Sequence, residues 1–416
     1  MPQAIGALLI TLASTAFSSA LITIAVAVAV TVLTATLFGP KKPKPSDGQQ
    51  TTREAIGSRR RHYGIVHTGG QLTFFDSQNG TLGQTVTLGT GRENAILEHR
   101  INDNVVTVNG SGTVTEARYH GAIHIHTRSG EDSQTAIAEL TAAFSAWTSD
   151  HRQRGCAHAA IICDPVEQEL FSEVFAGQVP QYSQVREGVG LYDPRKDSTA
   201  VIYDDGEGFT VNGVGTHRTG DESTWEWDDN WALVTADYFA HPDGFGGGYE
   251  NVNWANIASE ADICDEQVLT RDGKQIDRWR AWGSYRLATD ERRRVLDDLL
   301  QAADGYCWQD ANGKFNLLCG RYIAPTVTIT DDHILGLTAT KGASADKQVS
   351  AVKVAYTEAS IGYREQESAT IDSPDVADDP NADPQLAEIY FAPHHNQAAR
   401  LGKIIVRQLG DRWPRI

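Results

Sequence analysis

The residues with the clearest chemical potential are the histidines of "YHGAIHIHT": His120, His124 and His126. Alternate residues of a strand point to one face, so three imidazoles of one parity could hold a metal such as zinc. No Asp, Glu or Cys is interleaved with them, and Ile123 and Ile125 fill the intervening positions. The pattern therefore reads as the solvated face of a half-buried strand. Carboxylates come next. "DDGEG" at 204–208 and the pair Asp228–Asp229 could serve acid–base chemistry or bind Ca²⁺. Adjacent acids in turns are usually solvated, and that is the reading taken. Gly244 to Gly248, "GFGGG", lacks the following basic residue or helix start that a phosphate cradle needs. Arg59, Arg60 and Arg61 could meet phosphate or lipid headgroups, but they sit in a stretch that reads as a linker. His394 and His395 read as a loop or cap. The five cysteines (Cys156, Cys163, Cys264, Cys307, Cys319) are odd in number, and C-x6-C and C-x11-C are not zinc spacings. They read as buried free thiols. There is no G-x-x-x-x-G-K-[ST], H-E-x-x-H or G-x-S-x-G. The expectation is a protein that is not an enzyme, with no metal and no cofactor.

The elements that must position these residues start from an unusual terminus. No side chain before Lys41 is charged, and apolar residues dominate from Ala4 to Phe38. A helix of about 20 such residues crosses a hydrocarbon core. The run lacks the basic n-region of a signal peptide and is too long for an h-region. Two readings stay open: a membrane anchor with Lys41, Lys42 and Lys44 on the cytoplasmic side, or an apolar helix buried against copies of itself. The candidate membrane or plug residues are Leu21, Ile22, Ile24, Val26, Val28, Val30, Val32 and Leu33. The rest of the 416-residue chain carries the whole formal charge of −18. So acidic a surface argues against sequence-reading nucleic-acid binding, but suits a wall past which DNA slides.

Residues 39–61 are Pro-, Lys- and Arg-rich and read as a solvated linker. Between 62 and 180, short alternating runs such as "QLTFFDS" and "NVVTVNG" predict a small antiparallel sheet or barrel. Ile137, Leu140, Phe144 and Trp147 predict one face of a helix, and "HAAIICDP" a buried strand ended by Pro165. Residues 181–325 predict three helices. The first is capped by Asp228 or Asp229, and the third bears the stripe Val295, Leu296, Leu299 and Leu300 with Gly305 as C-cap. A hairpin turns at Ala311-Asn312-Gly313, with Asn-Gly in a type I′ turn. Strands return in 326–416, followed by a last helix at 394–409. Trp225, Trp227, Trp231 and Trp254 are expected in the core.

The succession of "GLYDPRKD", "WDDNWALVTADYF", "VNWANIASEADICDE", "RWRAWGSYRLATDERRRVLDDLLQAADGYCWQDANGKFNLLCG" and "VSAVKVAYTE" resembles the tail tip hub proteins of long-tailed bacteriophages. These include the host-specificity proteins of lambda-like phages and the hubs of gene transfer agents. The likeness spans roughly 60–416 and lies in segment order; no short catalytic motif carries it. Its most specific pieces are Asp229-Asn230-Trp231-Ala232, the Trp254/Asp262/Cys264/Asp265 pattern and the arginine-rich helix before Asp304-Gly305. It implies a multi-domain, β-rich α+β fold, with two small β-barrels flanking α+β domains and the N-terminal hydrophobic helix added. It implies a homotrimeric ring closing the tail tube. Distal tail or tail tube proteins, a tape-measure protein, the host envelope and passing DNA would be its partners. Such a chain would reside at the tail tip of a virion. The alternative reading is a single-span envelope protein or adhesin displaying β-rich domains.

Overall fold

The computed structural model describes residues 42–54, 57–200, 202–203, 210–211, 213–324, 349–374 and 383–408. The apolar run with Leu21 to Leu33 lies outside the described residues, as do Asp204, Asp205 and Glu207 of "DDGEG". Among the described residues no helix is long and apolar enough to cross a membrane.

β1 (Arg60–Tyr63) and β2 (Ile65–Thr68) are separated only by Gly64, whose φ of 60° turns the chain. β3 (Gln71–Gln78) and β4 (Thr81–Thr90) are joined by Asn79-Gly80, at φ 53° and 85°. β5 (Ile96–Ile101) and β6 (Asn104–Val106) are joined by Asn102-Asp103, at φ 48° and 65°. Two successive left-handed residues give the tight turn whose twist matches antiparallel strands, and Asn, Asp and Gly tolerate it best. β7 (Ile123–Ser129), β8 (Cys156–Cys163) and β9 (Tyr182–Glu187) complete two sheets, ordered β3-β4-β8-β7 and β2-β9-β5-β6. β8 shows why residues 62–180 hold two cores. Its Ala159, Ile161 and Cys163 face one core with Val86, Ile123 and Tyr182; Ala160 and Ile162 face another with Ile137, Leu140, Phe144 and Trp147.

The helix expected through those last four residues is shorter than its periodicity suggests. α1 is Ala138–Ala143, and Phe144 is extended at φ −129°, ψ 116°. All four side chains are nonetheless buried. Breaking the helix lets Phe144 and Trp147 both pack edge-on against Phe74, at centroid distances of 5.8 and 5.0 Å. Aromatic packing outweighs helix continuation here.

α2 (Phe171–Phe175) is followed by the three helices read from sequence: α3 (Trp231–Ala240), α4 (Trp254–Asp265) and α5 (Arg292–Gln301). The cap of α3 is Asn230, not Asp228 or Asp229: its side chain accepts from Ala232 N, while Asp228 accepts from Asn230 N at 2.8 Å. The apolar stripe of α5 is buried as expected. At its end the left-handed residue is Asp304 (φ 49°), not Gly305. Gly305 answers a different need, since a Cβ there would lie 2.2 Å from the Trp231 ring. The hairpin Tyr306–Gln309/Phe315–Leu318 forms, but around the longer loop 310–314, with only Gly313 at positive φ (77°). Asp310 accepts from Asn312 N and Lys314 N and so shapes that loop.

The C-terminal sheet centres on Ala351–Glu358. It pairs antiparallel with Arg364–Glu367 and Ile371–Asp372, and parallel with Gln385–Glu388. α6 (His395–Gln408) covers it through Leu401, Ile405 and Val406. The whole is β-rich α+β, and among the described residues none of the sheets closes on itself. One core runs from Tyr63 through α3, α4 and α5 to Val352 and Val406.

Asp304 gives a pH-dependent test of this packing. Burial pushes its carboxyl up to about 6, against a hydrogen bond from Gln408 that lowers it. A folded-state pKa above the unfolded value favours the protonated form, so the ionised group costs stability once pH exceeds that value. Asp304→Asn, which tolerates the left-handed backbone, should stabilise by about 1–2 kcal/mol at pH 8 and change little at about pH 3.5, below the unfolded value. Urea melts at both pH values check this.

Candidate functional site

The residues with chemical potential are spent on holding the molecule together. β1 leaves its sequence neighbours and pairs antiparallel with Gly283–Arg286, which carries Arg61 into the interior. The expected solvated linker is thereby corrected. Arg61 is fully buried, its Nη2 3.0 Å from Asp237 Oδ2, and Tyr63 Oη donates to the same oxygen at 2.8 Å. Tyr249 Oη donates to Asp237 Oδ1 at 2.9 Å. Burial alone would raise the Asp237 carboxyl, but Arg61, with His241 and Tyr63, overcomes it and holds the group below its ordinary value. Beside this lies a second buried set. Glu93 Oε1 bonds His62 Nδ1 at 2.7 Å, and Glu93 Oε2 pairs with Arg186. Burial again works against the Glu93 carboxylate, and Arg186 and His62 together depress its pKa.

The entry segment 42–54 is likewise packed on the body. Lys42 Nζ reaches Asp298 Oδ1 at 2.7 Å and Gln301 Oε1 at 2.6 Å, and Lys44 pairs with Glu365. Gln49 is buried and donates to the carbonyls of Gly362 and Tyr363, both at 2.9 Å. Thr52 bridges Gln71 in parallel. The segment has few apolar residues, so its order comes from polar ties that composition does not reveal.

Asp228 and Asp229 are not solvated turn acids either. Arg280 lies 3.6 Å from Asp228, 3.3 Å from Asp229, 2.9 Å from Asp265 and 2.5 Å from Asp277. Burial raises the carboxyls of Asp228 and Asp229, and Arg280 opposes that. Arg195 bridges Asp193, Asp262 and Asp265 within 2.9 Å. These two guanidiniums tie the start of α3 to α4 and to the short turn Pro194–Lys196.

The three histidines do not converge. His124 and His126 lie on β7 opposite the buried Ile123 and Ile125, as expected, while His120 sits beyond a 3₁₀ turn at φ 49°. Each meets its own acid, which adjacency in sequence had not suggested: His120–Glu173 at 3.5 Å, His124–Asp164 at 3.1 Å, His126–Glu139 at 3.5 Å. Among the described residues no group of three His, Cys, Asp or Glu is placed to hold a metal ion. The N–H groups of Gly244 through Gly248 all donate to carbonyls of 238–241, capping α3 and leaving no cradle for an anion. His394 accepts the Ala398 N–H through its carbonyl at the start of α6, a cap as read. All five cysteines are free, with Cys163, Cys264 and Cys319 buried. Trp225 and Trp231 are buried in full, while Trp227 and Trp254 are half-buried.

The buried Glu93, Arg186 and Asp237 were not singled out from sequence, and Arg61 was read there as part of a linker. A signal existed for one of them. Asp237 is the sole charge in the apolar helix "WALVTADYFA", and a buried charge requires a partner. The partner, 176 residues away, has no such local mark.

The chain is thus a β-rich α+β body whose sheets and helices are joined by buried ion pairs. It is similar in fold to a chain from the virion of a native gene transfer agent particle: TM-score 0.55, 14% identity, 95% of this chain and 85% of that chain covered. No protein-family description matches it, and no curated protein matches it in sequence.

Proposed function

We propose that this chain is a structural component of a phage-like virion, and within it the hub of the tail tip. The observation that carries this reading is the fold likeness to a gene transfer agent virion chain over 95% of its length. Segment order in the sequence points the same way independently. The chemistry agrees with a building role, since the guanidiniums and carboxylates of the interior neutralise one another. In the proposed assembly three copies form a ring, with 62–180 and 326–416 supplying two sheet-bearing units each to a six-fold-like contact with distal tail or tail tube proteins. The middle α+β region 181–325 lies between them. The apolar run with Leu21, Ile24 and Val28 either plugs the lumen beneath a tape-measure protein or enters the host envelope, and the acidic surface lets DNA pass. The chain acts without catalysis.

Cryo-electron microscopy of the intact particle tests this. Three copies at the distal end of a tail are expected. Placement in the capsid, or one copy per particle, would overturn the hub reading.

A further inference from the structure

Residues 42–54 run from α5 over the C-terminal sheet to β3 on polar ties. Apart from Pro43 and Pro45 they carry no apolar side chain, and Gln49 alone among them is buried. The first clasp is Lys42, whose Nζ meets Asp298 and Gln301 of α5 while its N–H donates to Glu388 Oε2 at 2.8 Å. The second is Glu365, which takes Lys44 Nζ at 3.3 Å, Ser46 Oγ at 3.1 Å and the Ser46 N–H at 3.4 Å. The third is Gln49, whose side chain donates to the carbonyls of Gly362 and Tyr363 and accepts from Arg364 Nε at 3.3 Å. The last is a short run of backbone bonds: Gly69 N to Gly48 O at 2.9 Å, Thr52 N to Gly70 O at 3.0 Å, and Leu72 N to Thr52 O at 2.9 Å. A cavity of about 390 Å³ lies between part of this segment and Val66, Trp282 and Phe391.

We infer that residues 42–54 are a detachable strap, which opens as a unit while the body stays folded and which salt loosens. Water already reaches the acids of its clasps. The side chains of Asp298 and Glu365 are 16% and 26% exposed, against 1% and 2% for Arg61 and Asp237. Opening the strap therefore hydrates the charges it releases, whereas parting Arg61 from Asp237 would leave both buried and unpaired. The strap also gives up little hydrophobic burial on leaving, since it has no aliphatic or aromatic side chain and a cavity lies behind it. The core that runs from Tyr63 to Val406 includes no residue of 42–54, so the body does not depend on it. A segment held in this way belongs to the low end of local opening free energies. On the hub reading above, the consequence is reach: opened and extended, 42–54 would carry the end of the apolar run up to about 45 Å further from the body. Only that consequence rests on the hub reading, and a chain placed elsewhere in a particle would still carry the strap.

Hydrogen exchange of the full chain in detergent decides the matter, read at the amides of Thr52, Gly69 and Leu72 and at Val234 within α3, which donates to the Asn230 carbonyl. At about pH 7 and about 0.05 M salt, the three strap amides should exchange at least about 100-fold more slowly than unprotected amides, yet at least about 100-fold faster than Val234. Raising the salt to about 0.5 M should speed these three by about threefold and leave Val234 unchanged. Lys42→Ala and Glu365→Ala should each speed them by about fivefold at low salt, again with Val234 unchanged. Exchange of the three at the rate of Val234 would mean that the segment opens only with the whole fold, and exchange at the unprotected rate that it is not docked. Either result would overturn the inference. Salt-independent exchange, or both variants at the wild-type rate, would overturn it as well, because the polar ties would then not be what holds the strap. The wild-type rates and their salt series separate these outcomes if a variant does not fold.

Discussion

Asp237→Ala should destabilise the protein by about 3–5 kcal/mol in denaturant melts at pH 7, the usual cost of breaking a buried ion pair from one side. The environment explains the size. Arg61 is fully buried, and among the described residues its Nε and Nη1 find no hydrogen-bond partner, so Asp237 is the carboxylate that chiefly offsets its charge. Tyr63 and Tyr249 would lose their acceptor at the same time. Each unsatisfied buried donor adds about 1–3 kcal/mol, though these sums do not add in full. The pH dependence has a definite sign. The folded-state carboxyl titrates below its unfolded value of about 4, so its stabilisation is complete above that value and fades as pH falls through the lower folded value. Glu93, depressed by Arg186 and His62, acts in the same direction. Wild-type stability should therefore drop below about pH 4. The Asp237→Ala variant should show a shallower drop. A variant as stable as wild type at pH 7, or one with the same acid profile, would show that the pair contributes nothing net.

How much of this was legible beforehand depends on whether the controlling contacts are local. α3, α4, α5 and α6 were readable because their apolar spacing and helix ends lie within each helix. The hairpin at 306–318 was readable from Asn-Gly between apolar runs, although Asp310 drew the loop to five residues. The cap of α3 was misplaced by one or two residues because Asp228, Asp229 and Asn230 are all competent caps, and Arg280 claims the two acids. The solvated reading of 39–61 missed the strand at its end, where Arg61 is buried, for a different reason. Arg60 to Tyr63 pairs with Gly283–Arg286, more than 200 residues on, and nothing local marks a charged stretch as a buried strand. Gly305 looked like a cap by position, yet it is glycine because the indole of Trp231 occupies the space where a Cβ would stand. The candidate site followed the same division. The residue types could be ranked from sequence, but the pairing of three histidines with three separate acids needed the fold.

Trp231 is the position where one side chain carries most of the middle region. It opens α3, is fully buried, and its Nε1 donates to the Leu299 carbonyl of α5 at 2.6 Å, while its ring lies against Gly305. Three elements therefore converge on one indole. Trp231→Ala should cost about 3–5 kcal/mol, from lost burial and from a cavity that α3, α5 and the Gly305 turn cannot all collapse into. Trp231→Phe separates the two contributions. It keeps most of the ring contact but leaves the Leu299 carbonyl without that donor, for an expected cost of about 1–3 kcal/mol. Restoring small volume at the far side, as in Gly305→Ala combined with Trp231→Ala, should recover part of the loss because the added Cβ would then point into vacated space. The single Gly305→Ala change in the wild-type background should instead destabilise, since its Cβ would sit 2.2 Å from the ring. Opposite signs for Gly305→Ala in the two backgrounds, measured by urea denaturation, are the expected result. The same sign in both would mean that the indole does not set the space at Gly305, and that the α3–α5 joint is held by other contacts.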